Sequence, residues 1–230
     1  MRFDRNQALL ESSIPGLPPP KRGKVRDIYD CGDSLLMVAT DRISAFDCVM
    51  PNGIPDKGRV LTGMSLFWFD FFEDMPDHLL SADPADFPAE ARPFADDLRG
   101  RAMLVQKARP VPVECVARGY LVGSGWKEYQ KSGSVCGLEL RPGYSQADKL
   151  DSALFTPAYK AEQGEHDENI SFAQVVELTG ADTAAALREN TLRLYTQAAD
   201  YAAERGIIIA DTKFEFGYER DGETLILIDE

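Results

Sequence analysis

At 230 residues, 44% of them hydrophobic and 27% charged, the chain has a globular composition and is long enough for one large domain or two closely packed lobes. A net charge of −13 argues against binding nucleic acid by phosphate neutralisation and against an anionic membrane surface, but it leaves room for small anionic substrates wherever a few cations gather. Four widely spaced cysteines (Cys31, Cys48, Cys115, Cys136), no C-x-x-C pair, no apolar leader and no bilayer-length apolar run together predict reduced thiols and a cytoplasmic protein without zinc.

In chain order, Met1 to Pro20 reads as a short capping segment ending in a stiff Pro18-Pro19-Pro20. Next come Lys21, Arg22, Lys24 and Arg26 around Gly23, four cations in an acidic protein. A glycine turn there could lay backbone N–H groups, Lys24 and Arg26 against polyphosphate, although the Walker spacing is absent; a basic surface hairpin is the alternative. Leu35 to Thr40 reads as a buried strand running into a polar loop, Asp41 to Asp47, in which Asp41, Arg42, Ser44 and Asp47 offer ligand groups. Pro51-Asn52-Gly53 reads as a turn, and Gly58 to Met75 as a helix with Leu61, Leu66, Phe69 and Phe72 among its apolar positions. His78 to Gly100 reads as irregular surface.

Two strands are expected on either side of Arg109-Pro110, a junction whose free backbone groups could meet an adenine edge. The second leads through Arg118 into a Gly/Ser loop at Gly123-Ser124-Gly125 and a helix from about Trp126, an arrangement suited to an anion. The polar stretch Phe155 to Phe172 carries Lys160, Glu162, Glu165, His166, Asp167, Glu168 and Asn169, either as an active-site loop or as a solvated one. Asp182 to Arg205 is the clearest helix, with Leu187, Thr191, Leu194, Tyr195, Ala198, Tyr201 and Ala202 on one face and Gly206 as its stop. A strand from Ile207 follows. Its period of two puts Asp211, Lys213 and Glu215 on one face and the aromatics on the other, which suits a metal and a phosphate or, less specifically, a solvated edge. Asp221-Gly222 then signals a hairpin to Thr224–Asp229, which would bring Asp229 near the same carboxylates.

The segments GKVRDIYD, ATDRISAFD, VPVECVARGYLVGSGWKEY, FTPAYKAEQGEHDENISF and IIIADTKFEFG, in this order, resemble the SAICAR synthetase family (phosphoribosylaminoimidazole-succinocarboxamide synthases of purine biosynthesis) from Gly23 to Glu230. The resemblance implies an α+β fold with a smaller antiparallel β-rich N-terminal lobe (residues 1–108), a larger C-terminal lobe (residues 109–230) and ATP between them. It also implies a ligase that uses ATP and Mg²⁺ to join L-aspartate to the carboxylate of carboxyaminoimidazole ribotide (CAIR) through an acyl phosphate, as a monomer or homodimer. By the same resemblance, Lys24 and Arg26 hold nucleotide phosphates, Glu215 and Asp229 the metal, and Asp211 and Lys213 face substrate and phosphate. Arg118 and Ser124 would bind the ribotide, and Asp41, Arg42, Ser44 and Asp47 would line the substrate cleft.

Tyr159 stands where the family has a small hydroxyl residue, and Val122 where it has Thr or Ala. The family pattern also continues past the strand that ends here at Glu230, into a segment with a substrate-binding arginine; a chain ending at Glu230 is expected to lack that part of the ribotide site. A small-metabolite kinase on the same scaffold and a non-catalytic nucleotide-binding module are the competing readings.

Overall fold

In the computed structural model, residues 1–45, 48–159 and 168–230 are described, and the chain falls into two compact units. The first comprises Met1–Arg109 and Glu219–Ile226, the second Pro110–Tyr218 and Leu227–Glu230.

The first unit contains β1 (Arg2–Phe3), β2 (Leu9–Glu11), β3 (Lys21–Arg22), β4 (Arg26–Asp30), β5 (Ser34–Ala39), β6 (Arg42–Ala45), β7 (Cys48–Gly53), α1 (Lys57–Phe71), β8 (Leu79–Ser81), α2 (Ala95–Leu98) and β9 (Ala102–Gln106). Its main sheet has the order β3-β4-β5-β9-β8, antiparallel throughout. Tyr29 lies opposite Leu36 and Asp27 opposite Val38, so alternate residues of both strands turn inward onto one core with Leu9, Phe87 and Leu98. Each large apolar side chain buried this way, such as Leu36, Val38 or Phe87, contributes roughly 1.5–3 kcal/mol by leaving water.

Several expectations change here. The N-terminal segment is more than a cap, because Ala8, Leu9 and Ile14 enter the core. The stretch from His78 to Gly100 likewise supplies buried Phe87, Ala91 and Leu98. The polar loop after β5 is the strand β6, and Pro51-Asn52-Gly53 lies within its partner β7, where a two-stranded hairpin tolerates a proline. In α1, Phe69 is buried as expected but Leu61 is exposed.

His78 is buried against the edge of Phe69, with ring centroids 5.6 Å apart. Burial, helped by the charge of Arg26, pushes its pKa from 6.5 down to about 4. The unfolded chain therefore takes up a proton on His78 between those values and the folded chain does not, so stability present above pH 6.5 is lost as pH falls towards 4. The expected loss from this one group between about pH 7.5 and pH 5 is about 2 kcal/mol. Neighbouring Asp77, its pKa raised by burial, acts in the opposite sense in the carboxylate range. Urea midpoints measured across this window should fall with pH in the parent chain and fall less in His78→Gln; equal slopes would remove His78 as the cause.

The second unit is organised by the twelve-residue strand β10 (Arg109–Tyr120), which belongs to it from Pro110 onward. After it come α3 (Gly123–Ser132), β11 (Ser134–Val135), β12 (Leu138–Glu139), β13 (Lys149–Phe155), β14 (Ala158–Tyr159), β15 (Glu168–Asn169), α4 (Phe172–Thr179), α5 (Ala181–Ala203), β16 (Asp211–Tyr218) and β17 (Leu225–Asp229). The sheet order is β15-β14-β10-β16-β17, with β13 also pairing β10. Ser171 and Gln174 form a capping box at the start of α4.

The helix α5 buries Leu187, Thr191, Leu194, Tyr195, Ala198 and Ala202, close to the face expected from its spacing. Gly206 follows at φ 74°, a left-handed conformation that ends the helix at little cost. The strand does not begin at Ile207, however. Ile207 and Ile208 are exposed, and the ladder starts only at Asp211. A pair of tight contacts decides this start: Tyr195 donates to the Ile209 carbonyl at 2.7 Å, and the Ala210 carbonyl accepts from Gly119 N at 3.0 Å. The Asp221-Gly222 hairpin forms as expected, with the Asp221 carboxylate accepting from Glu223 N, Thr224 N and Thr224 Oγ1. Among the described residues no helix is long and apolar enough to cross a membrane, and the four cysteines are unpaired.

Candidate active site

Alternation along β16 sets the face expected from the sequence: Phe214 and Phe216 are buried, while Asp211, Lys213 and Glu215 lie on the more open side. Lys213 Nζ donates to Glu114 Oε1 at 2.7 Å and sits 3.8 Å from Glu215 Oε1. Glu114 comes from the adjacent strand β10 and is itself buried. A buried carboxylate is stable when paired, and here the ammonium supplies that pairing. In the sequence Glu114 is a lone acid inside an apolar strand, VPVECVA, and that was the one signal available for it.

At the head of β16, three of the expected residues meet. The Arg118 guanidinium is buried and donates from Nη1 to Asp211 Oδ2 at 2.7 Å, from Nη2 to Ser124 Oγ at 2.9 Å and from Nε to Thr156 Oγ1 at 3.0 Å. A guanidinium has five N–H donors in a rigid plane, so this geometry commits three of them and fixes where the others point. Thr156, fully buried, was not singled out from the sequence; its hydroxyl also bonds to the Val116 carbonyl at 3.3 Å. The Gly/Ser loop is in fact the first turn of α3. Gly125 makes room there, since a Cβ would lie 3.2 Å from both Cδ and Nε of Arg118 and would press on the guanidinium. Gly119 is more constrained still, because its Cβ would lie 2.0 Å from the Tyr195 hydroxyl. Burial first, then Tyr120 and Asp211, raise the Tyr195 pKa, which keeps the phenol protonated and donating.

In the first unit, Gly23-Lys24-Val25 links β3 to β4 as the expected turn, closed by Gly23 N donating to the Arg26 carbonyl at 2.8 Å. Lys24 is exposed and Arg26 half-buried. Ser44 is half-buried in β6, opposite Val49. Asp229 is half-buried in β17, the strand beside β16.

Asp41 and Arg42 are placed differently from the expectation that they meet substrate. Asp41 is fully buried: it accepts from Leu9 N at 2.7 Å and Gly58 N at 2.9 Å, and Arg101 Nη1 lies 2.9 Å away as an ion contact. Arg42 is also buried, its guanidinium spent on main-chain carbonyls and Asp27. Both are internal fasteners, because polar groups enclosed this way must find their partners inside the protein. Asp47 and the residues from Lys160 to Asp167 lie outside the described residues. Tyr159 is exposed in β14.

Among the described residues no three His, Cys, Asp or Glu side chains gather as an all-protein metal site. Glu215 and Asp229, on neighbouring strands, are two hard-oxygen donors. That donor set fits Mg²⁺, which is commonly held by one or two carboxylates with substrate phosphates and water completing the shell.

Comparison with known proteins bears on all of this. A profile of the SAICAR synthetase family matches residues 20–230. The phosphoribosylaminoimidazole-succinocarboxamide synthase of Desulfatibacillum aliphaticivorans is 58% identical over 224 residues, 97% of this chain and 75% of that protein. Among solved structures, SAICAR synthase from Saccharomyces cerevisiae complexed with SAICAR is similar at a TM-score of 0.87 and 43% identity, over 97% of this chain and 76% of that one. A SAICAR synthetase in complex with ADP shares the fold at a TM-score of 0.73 and 24% identity, over 92% of this chain and 79% of that one.

Proposed function

The chain belongs to the SAICAR synthetase family, and we propose that it is the ATP-dependent ligase of purine biosynthesis that joins L-aspartate to the carboxylate of CAIR, releasing ADP and phosphate. The observation that carries this reading beyond likeness is the meeting of Arg118, Ser124 and Asp211 beside the Lys213–Glu114–Glu215 row. Arg118 offers charged donors of the kind an anionic ribotide needs, and Asp211 and Ser124 hold them in place.

A carboxylate is a poor acyl donor until one oxygen becomes a leaving group. In the proposed sequence a CAIR carboxylate oxygen attacks the γ-phosphorus of ATP, and ADP departs with the bonding electrons. The aspartate amine then attacks the acyl carbon, loses a proton, and inorganic phosphate leaves as the C–O bond breaks. Lys213 neutralises charge on the transferring phosphoryl oxygens, and Glu114 keeps its ammonium aimed. Lys24 and Arg26 hold the polyphosphate from the glycine turn. Glu215 and Asp229 would hold Mg²⁺, which when bound offsets phosphate charge. The four unpaired cysteines accord with a cytoplasmic setting.

ADP release by the purified chain, with Mg-ATP and CAIR, is measured with and without L-aspartate. Release that depends on aspartate is the expected result. ADP release that aspartate leaves unchanged, with a stable phosphorylated product and no amide, would instead identify a kinase and overturn the ligase reading.

A further inference from the structure

The buried guanidinium of Arg42 occupies the underside of the Gly23–Arg26 turn. Its Nε donates to the Lys24 carbonyl at 3.1 Å, and its Nη2 to the carbonyls of Gly23 at 2.9 Å and Arg26 at 3.1 Å. Nη1 reaches back to the Leu10 carbonyl in β2 at 2.6 Å. Charge balance comes from Asp27, whose Oδ1 lies 2.9 Å from Nη2 and whose Oδ2 accepts from Ser12 N and Ser12 Oγ, both at 2.8 Å. The remaining carbonyl of the turn, that of Val25, accepts from Thr40 N at 2.9 Å and Thr40 Oγ1 at 2.7 Å. All four carbonyls from Gly23 to Arg26 are therefore held by identified donors.

A trans peptide points its N–H opposite to the preceding C=O. With the Gly23 and Lys24 carbonyls fixed on Arg42, the N–H groups of Lys24 and Val25 are directed to the other side of the turn, away from the guanidinium. That is the polarity an anion-binding nest requires. We propose that Arg42 is a positioning residue for the ATP polyphosphate: it does not touch the nucleotide, but sets the orientation of the peptide groups that do. The inference rests on the reading that this turn binds nucleotide phosphates. A lysine cannot replace Arg42, because one compact ammonium cannot bridge the carbonyls of Leu10, Gly23 and Lys24 at once.

The test is titration calorimetry with Mg-ADP and, separately, CAIR, on the full chain and on Arg42→Lys, Thr40→Val, Ser12→Ala and Lys24→Ala, with a thermal midpoint for each. Arg42→Lys is expected to weaken Mg-ADP about tenfold while CAIR stays within about twofold, the scale of one or two lost hydrogen bonds. Ser12→Ala removes a hydroxyl from the same buried network without touching the turn; its midpoint should fall with little change in Mg-ADP affinity. An equal weakening in Ser12→Ala would reduce the effect to loss of core and overturn the proposal. Unchanged Mg-ADP affinity in Arg42→Lys, with Lys24→Ala weakened, would overturn the proposal alone and leave the turn as the phosphate site. No change in either Lys24→Ala or Arg42→Lys would remove the turn from the nucleotide site and the proposal with it. If Arg42→Lys does not fold, Arg42→Gln decides, with Thr40→Val, in which the Val25 carbonyl keeps its bond from the residue 40 main-chain N–H, as the control: a loss of Mg-ADP affinity in Arg42→Gln and none in Thr40→Val supports carbonyl orientation by Arg42, and unchanged affinity in Arg42→Gln overturns it.

Discussion

Replacing Glu215 with alanine is expected to cut Mg-ATP turnover by at least about a thousandfold while the protein stays folded. The argument is local. Glu215 sits on the open face of β16, opposite in direction to the buried Phe214 and Phe216. Its removal takes no apolar side chain out of the core. Nor does it orphan Lys213, whose ammonium keeps its 2.7 Å bond to Glu114. Stability should therefore change by no more than about 1 kcal/mol. On the proposed assignment, what is lost is one of the two carboxylates that would hold a magnesium ion, and with it the charge balance around the transferring phosphoryl group. Glu215→Gln, which keeps the shape and removes the charge, should behave the same way. Turnover at varied Mg²⁺ and fixed ATP separates the alternatives: a lost rate accompanied by a raised Mg²⁺ requirement supports the assignment, and near-normal turnover in either variant removes Glu215 from the metal site.

For Arg118→Ala the expected result is a rise of about a hundredfold in the KM for CAIR, with the KM for ATP nearly unchanged. The guanidinium is the group through which Asp211, Ser124 and Thr156 are tied, so truncation would remove the charged donors proposed for the ribotide and the ties between those side chains together. It also removes the bond that the fully buried Thr156 hydroxyl accepts, leaving the one it donates to the Val116 carbonyl. A destabilisation of about 2–4 kcal/mol is expected from that loss. Arg118→Lys retains the charge but not the fork, and should recover stability better than it recovers CAIR binding. Steady-state constants for each substrate check this; equal increases for CAIR and ATP would show a general loosening of the second unit rather than a ribotide contact.

Much of the architecture and chemistry could be read from residue order alone. The long helix ending at Gly206, the acid–base–acid face of β16 and the Asp221-Gly222 hairpin each follow from a period or a turn residue. Those signals are local: neighbouring residues compete for the same few backbone conformations, and the winner is set within one or two turns of chain. The family, too, is legible, because several long motifs recur in one order.

Tertiary structure alone decided the roles of polar residues whose sequence surroundings look alike. Asp41, Arg42 and Ser44 stand almost side by side in one motif, yet Asp41 and Arg42 are enclosed and Ser44 is not. Leu9, Gly58 and the 23–26 turn enclose them, all distant in sequence. Glu114 and Lys213 are 99 residues apart, and Arg118 and Asp211 are 93 apart. Nothing local distinguishes Arg42 from Arg118, and both are buried. The difference lies in the partners that distant parts of the chain bring, main-chain carbonyls and Asp27 for Arg42 and the side chains of Asp211, Ser124 and Thr156 for Arg118, since removal from water obliges a charged group to take its partners from the protein.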